Sequence, residues 1–117
     1  MIRPSNSSLQ VYLYNQPVDM RKAMDGLAGI VEQHMQLSPF SRSLFVFVNK
    51  RRDKLKILVW ERNGFIVWYK RLEKQRFHWF KDDKVRSLSV KELNWLLDGY
   101  DIFKFKPHQS LKIAGVT

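Results

Sequence analysis

Apolar residues follow two different periods along this chain. Val11 to Tyr14 is a short apolar run of strand type, closed by the turn chemistry of Asn15-Gln16-Pro17. Asp19 is then a natural N-cap, and a helix is expected from Met20 onward. Met24, Leu27, Val31 and Met35 recur at spacings of three and four, Ala23, Ala28 and Ile30 widen the stripe, and Ser38-Pro39 ends it. Leu44 to Val48 is an unbroken apolar run, the signature of a strand covered on both faces. A second run, Leu55 to Trp60, is followed by Asn63-Gly64, a hairpin signal, and by a third run from Phe65 to Glu73. Arg76 to Trp79 reads as a short fourth segment and Val85 to Leu88 as a further edge.

Ser89-Val90-Lys91-Glu92 has the form of a capping box, with Ser at the N-cap and Glu three residues on. The helix it opens places Val90, Leu93, Leu96, Leu97 and Tyr100 on one face. The expected fold class is α+β: a mainly antiparallel β-meander sheet with two packed α-helices, in a single small domain over residues 1–100. Residues 101–117 read as a C-terminal tail, and the alternation Phe103-Lys104-Phe105-Lys106 suits an extended arm.

Composition narrows the class of partner. The 117 residues include 21 Lys and Arg against 11 Asp and Glu, a formal net charge of +10, which favours a polyanion: nucleic acid or an acidic membrane surface. An apolar share of 44% argues against charge-driven disorder. The apolar runs are too short to span a bilayer, and Met1 to Gln10 holds no apolar signal core, so a cytoplasmic location is expected. With no cysteine, disulfides, thiol chemistry and cysteine-based zinc sites are excluded.

The charge is also placed. Lys50, Arg51, Arg52, Lys54 and Lys56 crowd a predicted hairpin loop with one acid, Asp53, while Lys70, Arg71, Lys74 and Arg76 sit at the far end of the third strand. In a meander, the start of the second strand and the end of the third lie at the same end of the sheet. The two groups should therefore merge into one phosphate-binding patch. Trp68 and Tyr69 adjoin it and offer either base stacking or ordinary core packing.

Other chemistry is poorly supported. Asp19 is assigned to a cap, Asp25 to an ion pair with Arg21 four residues earlier, Asp82-Asp83 to a polar loop and Glu92 to the capping box. No carboxylate pair stands at metal-ligand spacing on one element, and His34, His78 and His108 fall on separate elements. No metal, cofactor or catalytic residue is expected. Gly26 and Gly29 mark a smooth helical stripe with Lys22 and Gln33, beside Arg21, which suits either a closely approaching partner or tight packing on the sheet. Trp95 lies opposite the apolar face of its helix, an interface anchor unless the tail at Ile102, Phe103 or Phe105 covers it.

Several segments carry a family pattern: Met1-Ile2-Arg3-Pro4, Val18-Asp19-Met20-Arg21-Lys22, Asp25-Gly26-Leu27-Ala28, Pro39-Phe40-Ser41 and Leu44-Phe45-Val46-Phe47. Asn49-Lys50-Arg51-Arg52-Asp53-Lys54-Leu55-Lys56, Trp68-Tyr69-Lys70-Arg71-Leu72-Glu73 and Phe77 continue it. In these the chain resembles the TnpB accessory protein, encoded by the second reading frame of bacterial insertion sequence 66-type elements, which is unrelated to the RNA-guided nuclease of the same name. It departs at Arg76, where relatives often carry Gly, and the likeness weakens after Tyr100. The resemblance implies a role in transposition beside a separate transposase that carries the acidic catalytic residues. The expectation is a non-catalytic accessory protein that binds DNA through Lys50, Arg51, Arg52, Lys54, Lys56, Lys70, Arg71 and Lys74. The alternative is a module that binds only the transposase, through Arg21, Lys22, Gly26, Gly29 and Trp95. A metal-dependent nuclease is the remote third reading.

Overall fold

In the computed structural model, which describes residues 8–104, one strand organises the rest. Strand β2, Ser43–Val48, is buried at every position. Its neighbours are β1, Gln10–Leu13, which runs parallel to it, and β3, Lys54–Glu61, which runs antiparallel. Strand β4, Gly64–Arg71, lies outside β3, and the short β5, Arg86–Leu88, lies outside β1, both antiparallel. The sheet order is β4-β3-β2-β1-β5.

Alternation along β2 serves two cores at once. Phe45 and Phe47 meet Leu27, Ile30 and Val31 of helix α1, Met24–Gln33, together with Met35 just beyond it and Leu58. Leu44, Val46 and Val48 point the other way, into a core built with Val90, Leu93, Leu96 and Leu97 of helix α2, Val90–Leu97, and with Phe77 and Phe80. The helices thus cover opposite faces, which is why β2 carries no polar alternation. The α+β class holds, with one parallel pairing inside the expected meander. Helix α1 connects β1 to β2, and a crossover of that length permits parallel strands.

Helix α1 begins later than Asp19 implies. Its N-cap is Ala23, with no side-chain hydrogen bond, while the Asp19 carboxylate accepts from the Arg21 backbone N–H at 2.9 Å and closes a separate turn. The turn captures the cap residue locally, a competition typical of Asp. Met24, at the helix start, is 41% exposed. The hairpin between β3 and β4 turns on Arg62-Asn63, with Arg62 in the left-handed region (φ 58°), while Gly64 already pairs with Glu61. A two-residue loop needs positive φ to match the strand twist, and here Arg62 supplies it.

The expected strand at Arg76 to Trp79 is absent. That segment instead crosses the β2–β3 turn, with the Phe77 N–H donating to the Arg52 carbonyl at 2.7 Å, and drops Phe77 and Phe80 into the α2 core. Val85 to Leu88 does supply an edge, as β5. Tyr100 leaves the helix face and is exposed. Gly99, at φ +96°, bonds to the Leu96 carbonyl and the Tyr100 N–H bonds to the Trp95 carbonyl, a Schellman ending that stops α2 at Leu97. Ile102 and Phe103 fold back onto the core, and the Arg86 guanidinium sits 4.8 Å from the Phe80 ring centroid and 5.4 Å from that of Phe103. Met1 to Pro4, Phe105, Lys106 and His108 lie outside the described residues. No helix of the described residues is long and apolar enough to cross a membrane.

The capping box is formed in full: the Ser89 hydroxyl accepts from the Glu92 N–H at 3.1 Å, and the Glu92 carboxylate accepts from the Ser89 N–H at 2.9 Å. Ser89→Ala should cost about 1 kcal/mol. Urea unfolding checks this, through a lower midpoint at unchanged slope.

Candidate nucleic-acid interface

The turn between β2 and β3 is locked by one side chain. Asn49 Nδ2 donates to Asp53 Oδ1 at 2.7 Å, while Asn49 Oδ1 accepts from the backbone N–H of Asp53 (3.1 Å) and of Lys54 (3.0 Å). Arg52 takes φ 63° to complete the turn, and its N–H donates to the Asn49 carbonyl. The Asn49 hydrogen bond is also the chief cause holding the Asp53 carboxyl below its usual range. A loop so tied has little freedom to lose on binding, and it leaves Lys50 and Arg51 exposed at its tip.

Strand register brings the second basic group to the same place. Lys54 stands opposite Arg71, Leu55 opposite Lys70, and Lys56 opposite Tyr69. The pleat then divides them. Lys54, Lys56, Tyr69 and Arg71 fall on the α1 face, whereas Trp68 and Lys70 fall on the α2 face, where Trp68 packs against the core.

Two of the lysines also serve as internal ties. Lys56 Nζ donates to the carbonyls of Met20 (2.8 Å) and Lys22 (3.0 Å), pinning the segment before α1 to the sheet. Lys70 Nζ donates to the Leu97 carbonyl at 2.7 Å, a cation at the negative end of α2. Arg71 pairs with Glu73 at 3.0 Å and Lys54 with Asp53 at 3.8 Å, while Lys74 is exposed. Surface pairs of this kind are weak enough to open for a phosphate.

The pinned segment adds a cation that strand logic had not joined to the patch. Val18 N–H bonds to the Val48 carbonyl, so residues 17–21 lie beside the basic turn. Arg21 is held there by Asp19 rather than by Asp25: its guanidinium donates to the Asp19 carboxylate at 2.7–3.1 Å, yet its side chain stays 92% exposed. Between this segment and the turn runs a groove of about 690 Å³, lined by Arg21, Lys50, Arg51 and Lys54, with Pro17, Met20 and the half-exposed Tyr69 among its walls. Sequence reasoning placed Arg21 in a separate surface. Its only early sign was the turn chemistry of residues 15–19, which aims the chain back at the sheet end.

The remaining candidate residues are divided between two places. Lys22, Gly26 and Gly29 line an adjoining hollow of about 350 Å³. A Cβ at Gly29 would meet nothing within 4 Å, and one at Gly26 only the Lys22 side chain, at 3.3 Å, so packing on the sheet does not require either glycine. Trp95 lies on α2, across the sheet from α1, 41% exposed, with Lys91 Nζ 5.3 Å from its ring centroid; Ile102 and Phe103 pack into the core instead. His78 Nδ1 is 3.7 Å from the Asp101 carboxylate, and His34 neighbours Tyr14. Among the described residues no three His, Asp or Glu side chains gather as a metal site.

Against this geometry the comparisons with known proteins are informative. The family described as IS66 Orf2 like protein matches residues 9–107. The chain belongs to the IS66 Orf2-like family. Two uncharacterised proteins of Sinorhizobium fredii (strain NBRC 101917 / NGR234) are similar to it along most of their lengths. One, y4jC, is 34% identical over 108 residues, 91% of each chain. The other, y4hO, is 30% identical over 99 residues, 84% of this chain and 86% of its own. No solved structure matches. The family match takes in both the Asp19–Arg21 turn and the Asn49–Lys54 loop.

The Arg21 side chain and backbone hydrogen bonds pull the Asp19 carboxyl down to about 2 from 3.8. Because the folded value is the lower one, the charged turn is intact above the ordinary carboxylate range and is lost as pH falls toward 2. In a carboxyl-carbon NMR titration, Asp19 should show its midpoint near 2, and Arg21→Ala should move it up toward 3.8.

Proposed function

We propose that this protein is a non-catalytic accessory factor in transposition of a bacterial insertion sequence, holding DNA at the basic end of its sheet while a separate transposase cuts. Membership of the IS66 Orf2-like family supports the transposition role. The observation that carries the DNA-binding part is the Asn49-locked turn, which presents Lys50 and Arg51 beside Arg21, Lys54 and Arg71. Phosphate neutralisation by such a cluster releases counterions and gives affinity without sequence preference. Arg52 lines a separate hollow with Lys50 and Asp82, and Lys74 is exposed beyond the end of β4. Lys56 and Lys70, with ammonium groups on backbone carbonyls, shape the surface and add their field to it.

A second reading is an interaction module that binds the transposase without touching DNA. It is favoured by the aromatic group at the opposite end of the sheet. Phe40, Trp60 and Phe65 form a mutual cluster with ring centroids 5.0–5.5 Å apart, and Phe40 is 56% exposed. Exposed aromatics of this kind anchor protein interfaces. Trp95 on α2 and the Lys22-Gly26-Gly29 stripe beside the basic groove are separate surfaces that a partner of this kind would use in addition.

Fluorescence anisotropy across a salt series separates the two readings. Lys50→Gln/Arg51→Gln leaves the locked turn and the positive φ of Arg52 untouched. It should weaken DNA binding and reduce the slope of log affinity on log salt by about 2, roughly one unit per lost phosphate contact. Identical affinity and slope in the double variant and the wild type would remove the loop from DNA binding. Binding to purified transposase, with no DNA affinity, would establish the second reading.

A further inference from the structure

Tyr69 is out of keeping with its surroundings. It is an aromatic side chain, 49% exposed, in a groove that carries the cations Arg21, Lys50, Arg51 and Lys54 and one acid, Asp19, already paired with Arg21. Solitary exposed aromatics are ordinary on protein surfaces. This one is not placed as a bystander. It lies in an open groove of about 690 Å³, and four cations share the groove with it. Its backbone is paired within the sheet opposite Lys56, and Lys56 Nζ, 5.8 Å from the ring centroid, is itself fixed by the Met20 and Lys22 carbonyls. The ring therefore has a rigid mount and a fixed cation as neighbour.

Resting on the DNA-binding reading above, we infer that this groove takes unpaired nucleotides: Tyr69 is a stacking platform for a base, and Lys50, Arg51 and Arg21 hold the flanking phosphates of single-stranded DNA. The physical reason is geometric. In a duplex the base faces are stacked against each other and present nothing to an aromatic ring, so an intact helix reaches only the cations on the rim. An unpaired strand offers base faces and phosphates together, the combination that cationic grooves with embedded aromatics recognise. Any base stacks, so the site tolerates sequence.

The test compares labelled single strands of about ten nucleotides, a span within the range of single-strand binding sites, with blunt GC-rich duplexes of about ten base pairs. Full-length protein is titrated by anisotropy across salt concentrations, as wild type, Tyr69→Leu and Tyr69→Phe. Thermal melts establish that each variant is folded, which the exposure of Tyr69 favours. The wild type should prefer the single strand. Tyr69→Leu should lose about fivefold or more of single-strand affinity with its salt slope intact and duplex affinity unchanged, because stacking releases no counterions. Tyr69→Phe, which keeps the ring face and lacks the hydroxyl, should bind like the wild type. Equal or tighter wild-type binding to duplex overturns the inference while sparing the DNA-binding reading, and so does single-strand affinity unmoved by Tyr69→Leu. Loss in Tyr69→Phe equal to that in Tyr69→Leu assigns the effect to the hydroxyl and also overturns it. Absence of any DNA affinity overturns both.

Discussion

Burial of β2 on both faces is the constraint from which the remaining architecture follows. Phe45 and Phe47 on one side, and Leu44, Val46 and Val48 on the other, expose essentially nothing to solvent. A strand with two apolar faces needs a helix over each, and α1 and α2 fill those places. It also needs a paired neighbour along each edge, or its backbone would lie buried with unmet hydrogen bonds. Strands β1 and β3 meet that need and push β4 and β5 to the rims. The sheet interior is then wholly committed to packing, so the ends of the strands are left to carry surface chemistry.

At the basic end, structure and charge are not separable. Lys56 and Lys70 leave the same pair of strands on opposite faces, and each places its ammonium group on carbonyls from a helix or its approach. Charge-assisted bonds of this type are the stronger kind and orient what they hold. Through Lys56 the segment at Met20 to Lys22 is drawn to the sheet, which positions Arg21 at the groove. A residue counted as part of a phosphate patch on sequence grounds thus acts first as a strut, and the cation it positions comes from a segment some thirty residues earlier in the chain.

What was legible in the sequence was local or periodic. The apolar run at Leu44 to Val48, the Ser89–Glu92 box and the stripe at Leu27 and Val31 each report a short-range rule, and each element formed. The coincidence of the two basic groups was legible because antiparallel pairing of β3 with β4 follows from a short hairpin. Asp19 misled because an Asx-type turn and a helix N-cap draw on the same side chain, and only the distant ties of Lys56 and Val18 favour the turn. Arg76 to Trp79 misled because buried aromatics in a crossing segment look like a strand. The groove depended on strand order, which no local pattern encodes: β1 beside β2 brings the chain after Leu13 up to the Asn49 turn.

Strand β4 joins the two ends of the molecule. Near its start, Phe65 belongs to the exposed aromatic group with Phe40 and Trp60; near its end, Tyr69 lines the basic groove and Arg71 stands opposite Lys54. At about 3.3 Å per residue, Phe65 stands roughly 13 Å from Tyr69 and roughly 20 Å from Arg71 along one strand. Nucleic acid at Arg51 and a protein at Phe40 would therefore occupy separate ground. A DNA contact and a protein contact at these two places are consequently compatible in space. An accessory factor that bridges transposase and DNA needs such an arrangement, since neither contact displaces the other and the sheet between them fixes their separation.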